Sequence, residues 1–239
     1  MTDFPLDRVD FQDAYSGGAM VPGTDVTFDV MPWDIGAPQP VVVRLADEGE
    51  FRGAVLDAGC GLGNNAIFLA QRGFQVTGVD GAEAALQKAR ERAASHGVDV
   101  EFVRADVTTF EGVAPRFDTV LDSALYHCLT GEQRTAYAAA LHRVTRPGAR
   151  LHLLCFADAG NDGLDLPMTV SQDDLRTHLS DRWLIRDIEA VDYTISMSPE
   201  AFARSGGARM GFGVDPDVVQ TDEHGRILTR MWHLSADRA

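Results

Sequence analysis

Cysteine is scarce in this chain: 239 residues hold three, Cys60, Cys128 and Cys155. An odd number without Cys-x-x-Cys spacing argues against a disulfide framework and against a metal site. Each lies in an apolar stretch and reads as a reduced core residue. Long hydrophobic runs are missing too. None approaches the roughly 20 residues that cross a bilayer, so no membrane contact is expected. The opening Met-Thr-Asp-Phe-Pro-Leu-Asp lacks the basic and apolar regions of a signal peptide. A cytoplasmic setting follows as the expectation. Positive charge is short: 21 Lys and Arg face 36 Asp and Glu, a formal charge of −15. Such a surface repels phosphate backbones, so nucleic acid is not an expected partner. Internal repeats, low-complexity tracts and interdomain linkers are absent as well.

What is present is a hydrophobic content of 45%, enough for one domain with a substantial core. Apolar strand candidates at 53–57, 75–79, 99–103, 117–122 and 149–156 alternate with helix candidates at 64–72, 82–96 and 131–145. That alternation predicts a doubly wound, mostly parallel sheet with helices on both faces. Pro147-Gly148 reads as a breaker before the fifth strand. Helices are expected at 6–16, 41–49 and 171–180. Ser171 caps the last of these, with acids in its first turn. Residues 182–194 and 226–236 read as two longer strands, an antiparallel pair closing the sheet. The stretch 195–225 between them reads as an inserted loop. Residues 17–40 are rich in Gly and Pro and form a long loop before the first strand.

The most informative segment is residues 55–63, Val-Leu-Asp-Ala-Gly-Cys-Gly-Leu-Gly. An apolar strand ends in Asp57, and glycines follow at alternate positions, Gly59, Gly61 and Gly63. Glycine tolerates positive φ and lets a ligand press on the backbone. The helix start behind the turn offers unpaired N–H groups. This is a nucleotide-type pocket at the tip of a first strand. Gly61-Leu-Gly63-Asn-Asn-Ala66 alone also fits a dinucleotide fingerprint. The acid at the strand end separates the ligands: a pyrophosphate would be repelled by Asp57, whereas an ammonium or sulfonium would be attracted. Two further acids stand at successive strand tips. Asp80, about 20 residues beyond the glycines, can accept two ribose hydroxyls. Asp106 can receive the exocyclic amine of adenine. A fourth strand ends at Asp122-Ser123.

With Asp57/Gly59/Gly61/Gly63, Asp80, Asp106 and the strand ending at Asp122, the chain resembles the class I S-adenosylmethionine-dependent methyltransferases. Pro32-Trp33-Asp34-Ile35-Gly36-Ala37-Pro38-Gln39-Pro40 is similar to the loop of the thiopurine and tellurite-resistance type of small-molecule methyltransferases. Together with Phe51-Arg52-Gly53, Phe117-Asp118-Thr119 and Asp122-Ser123-Ala124-Leu125-Tyr126-His127, it most resembles the mycobacterial heterocyclic toxin methyltransferase family. The resemblance implies a Rossmann-like seven-stranded sheet with an antiparallel C-terminal pair. It implies one domain over 1–239: N-terminal cap helices and loop at 1–50, a cofactor core at 51–160, and a C-terminal sheet and substrate lid at 161–239. It implies S-adenosyl-L-methionine as cofactor, no metal, and detoxifying methylation of nitrogen or hydroxyl on a flat heteroaromatic such as a hydroxyquinolone. Trp33, Asp57, Gly59, Cys60, Gly61, Asn65, Asp80, Gly81, Asp106, Val107 and Asp122 would then surround the cofactor. Tyr15, Trp33, Tyr126, His127 and Met210 would meet the substrate, with His127 and Tyr15 nearest the chemistry.

Alternatives stay open at this point. Asp57 meets the ammonium directly or through water, or caps the turn. His127 touches substrate or is simply packed. The Met and Phe residues of 197–212 are core or lid. Methyl transfer from a sulfonium needs positioning more than proton transfer, so no indispensable general base is expected. A thiol or tellurite acceptor, or a non-catalytic S-adenosylmethionine-binding module, are the competing functions. The sequence leaves a monomer or a homodimer open, with no feature that supports a dimer.

Overall fold

The computed structural model describes residues 8–205 and 211–239. Seven strands form one sheet in the order β3-β2-β1-β4-β5-β9-β7. The first five are β1 (Ala54–Ala58), β2 (Gln75–Asp80), β3 (Glu101–Arg104), β4 (Phe117–Ser123) and β5 (Thr145–Phe156). They pair in parallel. Strands β7 (Trp183–Thr194) and β9 (Leu228–Arg238) add antiparallel pairs, β9 against β5 and β7 against β9. The expected Rossmann-like sheet with its antiparallel C-terminal pair is the observed one.

Side chains alternate across this sheet, and each face has its own core. Leu56, Val120, Leu153 and Leu234 pack on one side with Tyr137, Leu141 and Trp183. Val55, Leu121, Leu154 and Met231 pack on the other with Val42, Leu45, Leu69 and Leu86. The first core is covered by α5 (Gly131–Val144) and α6 (Gln172–Leu179), the second by α2 (Pro40–Asp47), α3 (Asn64–Gln71) and α4 (Glu83–Ser95). Local chemistry starts the helices. Thr130 and Gln133 form a reciprocal capping box on α5, and Ser171 accepts from Asp174 N on α6.

Three expectations change. Helix α1 is only Phe11–Tyr15, because the Asp10 side chain caps it by accepting from Asp13 N. Pro147-Gly148 does not stand before β5 but inside it. The register against β4 shifts between Phe117 and Thr119, so the strand absorbs the dipeptide as an irregularity. The stretch after β7 is not all loop. It holds α7 (Pro199–Arg204) and β8 (Gly213–Val214), which pairs antiparallel with β6 (Leu164–Asp165). Ile195, Phe202, Val219 and Ile227 give this flap a small core of its own.

Candidate active site

A cleft of about 1420 Å³ opens across the carboxyl ends of β1, β2, β4 and β5. Its floor at β1 is the glycine turn. Gly59 N and Cys60 N both donate to Val79 O, at 2.8 and 3.0 Å, which clips the turn to β2. Gly59 has φ +69°, and a Cβ there would sit 2.8 Å from Leu125 Cβ. Gly61 has φ +51°, and its Cβ would sit 2.8 Å from the Tyr15 hydroxyl. Only glycine fits either position.

Three acids gather at this floor, Asp57 and Asp122 buried behind it and Asp80 at its surface. Asp80 lines the cleft, with Oδ2 accepting from Gly61 N at 2.9 Å and Oδ1 from Ala82 N at 2.8 Å. Burial raises its pKa against the pull of those amides. Asp122 is fully buried and does not face the cleft. It accepts from Leu125 N, Tyr126 N and the Tyr137 hydroxyl, at 2.9, 3.3 and 2.9 Å. It therefore closes the turn after β4, which corrects its expected place against the cofactor. Asp57 is 1% exposed and its Oδ2 has no hydrogen-bond partner. Burial first, then the charges of Asp122 and Asp80, push its carboxyl up to about 7. Among the described residues no basic side chain is ion-paired to any of the three. A site holding buried carboxylate charge without a cation fits a cationic ligand and opposes an anionic one.

The other expected contacts divide. Gly81, Asp106 and Val107 line the cleft. Asp106 Oδ1 accepts from the Thr108 amide and hydroxyl, at 2.8 and 2.7 Å. Cys60 does not face the cleft; its sulfur packs against Gly78, where a Cβ would lie 2.9 Å away. Asn65 turns away as well: its Oδ1 accepts from Gln39 N at 3.0 Å and ties down the loop before α2. Asp34 fixes the same loop through a 2.8 Å ion pair with Arg92 and a 2.7 Å bond from Asn64. Trp33 and Tyr15 lie over the turn, the indole N–H donating to the Tyr15 oxygen at 2.8 Å. Burial and then the Asp80 charge raise the Tyr15 phenol well above its ordinary pKa, so it stays protonated.

A family model for a methyltransferase domain matches residues 55–148. The 2-heptyl-1-hydroxyquinolin-4(1H)-one methyltransferase of Mycobacteroides abscessus is 40% identical over 209 residues, 87% of this chain and 88% of that one. The chain belongs to the class I S-adenosylmethionine-dependent methyltransferases. A structure solved for the conversion of a disulfide bond into a thioacetal group during echinomycin biosynthesis is 34% identical. It covers 95% of this chain and 90% of that one, with a TM-score of 0.73. The 1,6-didemethyltoxoflavin-N1-methyltransferase of Burkholderia thailandensis, solved with its substrate and S-adenosylhomocysteine, shares the fold. It is 21% identical over 86% of this chain and 80% of that one, with a TM-score of 0.58. S-adenosylmethionine is the cofactor of this methyltransferase, and the orphaned Asp57 oxygen beneath the turn suits its positive charge.

The far end of the methyltransferase cleft is apolar, walled by Phe156, Met168, Ile195, Phe202, Phe212 and Met231. Its polar groups are few. Ser123 Oγ and the Tyr193 hydroxyl lie 3.2 Å apart. His127 is 4% exposed and stacked on Phe156, with centroids 4.0 Å apart and planes at 15°. Ala124, between Ser123 and Leu125, is held at φ +78°, a strained non-glycine conformation of the kind that clusters at functional sites. Tyr126 is not in this cleft. It is fully buried, its hydroxyl donating to Asp174 at 3.3 Å and Arg134 lying over its ring. The 3-10 turn 126–128 sends neighbouring side chains to opposite sides, so Tyr126 enters the core where His127 enters the cleft. Met210 lies outside the described residues. Phe156, Tyr193 and Met231 escaped the sequence reading. Phe156 had a usable signal, since it ends the next parallel strand.

Proposed function

We propose that this methyltransferase transfers the methyl of S-adenosylmethionine to a nitrogen or hydroxyl oxygen of a small heteroaromatic such as a hydroxyquinolone. One observation carries the reading: a single cleft joins a carboxylate-lined end to an aromatic, uncharged end. The 40% identical hydroxyquinolone methyltransferase supports it. Asp57 receives the ammonium of the donor, directly or through water. Asp80 accepts the ribose hydroxyls. Asp106 takes the adenine amine beside the Val107 N–H. Gly59 and Gly61 let the donor approach, with Gly81 beside the ribose end, and Tyr15 and Trp33 cover it. When bound, S-adenosylmethionine supplies an electrophilic methyl on a sulfonium. The chain's own work is to align an acceptor atom roughly 3 Å from that methyl and exclude water, worth about 7–11 kcal/mol. Neither Tyr15 nor His127 is a base here: the phenol keeps its proton and the imidazole lone pair is already bonded. The described N-terminal segment, parallel core and flap are read as one domain acting on a free small molecule, in a cytoplasmic and detoxifying role.

The test is mass spectrometry of an acceptor panel incubated with the protein and isotope-labelled S-adenosylmethionine. Labelled methyl on hydroxyquinolones supports the reading; label confined to thiols rejects it. The thiol arm is included because the relative from echinomycin biosynthesis serves sulfur chemistry.

A further inference from the structure

The hydrogen bond made by one nitrogen of His127 settles the job of the other. Phe156 N donates to His127 Nδ1 at 3.3 Å. An imidazole nitrogen that accepts a hydrogen bond carries no proton, so in the neutral ring the proton sits on Nε2. Neutrality is enforced on every side. The ring is stacked on Phe156, and burial first, then the Arg134 guanidinium, hold its pKa down to about 3. The carboxylate nearest in sequence, Asp122, is turned to Tyr137 and the Leu125 and Tyr126 amides. His127 Nε2 has no protein partner among the described residues, is not among the buried orphans, and its ring lines the cleft. The aromatic end thus presents one fixed N–H that can donate and cannot accept.

We infer that His127 is a specificity-determining residue, whose Nε2–H selects acceptors with an oxygen conjugated to the reacting atom. This rests on the heteroaromatic reading above and narrows it. A ring oxo group or delocalised oxyanion can receive the N–H; a bound ring without such an oxygen covers the donor and leaves it unpaired, which penalises that ring. The hydroxyls of Ser123 and Tyr193, already bonded to each other, can adapt to either partner. His127 cannot, because its tautomer is fixed by the backbone of β5.

The test pairs protein and ligand changes. Wild type, His127→Phe and His127→Gln are compared on 1-hydroxyquinolin-4-one and on 1-hydroxyindole, which keeps the N–OH and lacks the ring oxygen. His127→Phe keeps a stacking ring and removes the donor; His127→Gln restores an N–H. The expected result for His127→Phe is a roughly tenfold to hundredfold fall in kcat/KM on the quinolone. The same variant changes little on the indole, His127→Gln recovers part of the loss, and the pH profiles keep their shape. Equal losses on both rings overturn the assignment, as does a wild-type inflection near neutral pH that disappears in His127→Phe. Nitrogen-15 histidine spectra give a readout that needs no turnover. Nε2 should be protonated and Nδ1 bare across neutral pH, and the Nε2–H resonance should move when the quinolone binds beside S-adenosylhomocysteine. A protonated Nδ1, or an unmoved resonance, also overturns it. A wild type that methylates neither ring contradicts the proposed function, and the resonance then decides the donor assignment alone.

Discussion

Asp57 is a buried acid whose charge has the Ala66 amide beside it and no basic side chain, with one oxygen left unpaired, and much of the chemistry follows from that. Its carboxyl is raised to about 7 by burial, Asp122 and Asp80. A raised acid binds its proton more tightly folded than unfolded. Its contribution to stability is therefore complete below its ordinary pKa of 3.8 and is lost as pH rises through about 7. The arriving ammonium reverses this preference, since it favours the ionised form. S-adenosylmethionine affinity should climb by up to about tenfold per pH unit towards neutrality and level off above it. Asp80 differs, because two backbone amides already brace its carboxylate. Asp80→Asn weakens its charge-assisted bonds, each worth about 1.5–3 kcal/mol. The expected loss of cofactor affinity is roughly tenfold to hundredfold by titration calorimetry, with the melting temperature as control. Unchanged affinity in a folded variant would reject the ribose assignment.

Among the elements, the glycine turn and α1 form one device. Tyr15 lies over Gly61, and the sole lysine, Lys88 on α4, donates to the Tyr15 carbonyl at 2.6 Å and pins the helix there. Gly61→Ala would set a methyl 2.8 Å from the Tyr15 oxygen at φ +51°. The expected outcome is a cost of about 1–2 kcal/mol in stability, together with weaker cofactor binding as Tyr15 and Trp33 are displaced. A variant that melts and binds like the wild type would show that the turn and α1 are uncoupled. Much of this device was legible in the sequence. Strand tips at Asp57, Asp80 and Asp106 follow from short apolar runs and spacing, and the parallel pairing follows from alternation with helices. Side-chain direction was not legible. Spacing puts Asp122, Tyr126 and Asn65 next to the cleft without saying that each turns to a different partner. Strands β6 and β8 are two residues long and far apart in the chain, so no local pattern marks them. Pro147-Gly148 gave the signal of a break, which the pairing of β4 with β5 overrides.

For the molecule as a whole, the segment matched by the family model, 55–148, should not fold by itself, because it omits β9 and most of β5. Strand β9 lies between β5 and β7 and carries Leu234 and Met231 into opposite cores, both fully buried. Truncation before Leu228 should leave no cooperative thermal transition. Leu234→Ala should cost about 2–5 kcal/mol in chemical denaturation. A truncated chain with a sharp transition would show that the tail is an appendage rather than part of the core. The central claim concerns how the assembled fold meets a positive donor, and proton counting tests it most directly. Calorimetry of S-adenosylmethionine binding below neutral pH, in buffers of different ionisation enthalpy, should show protons released by the wild type. Asp57→Asn should show weaker binding and a release smaller by up to one proton. Equal affinities and equal proton counts in the two proteins would contradict the account.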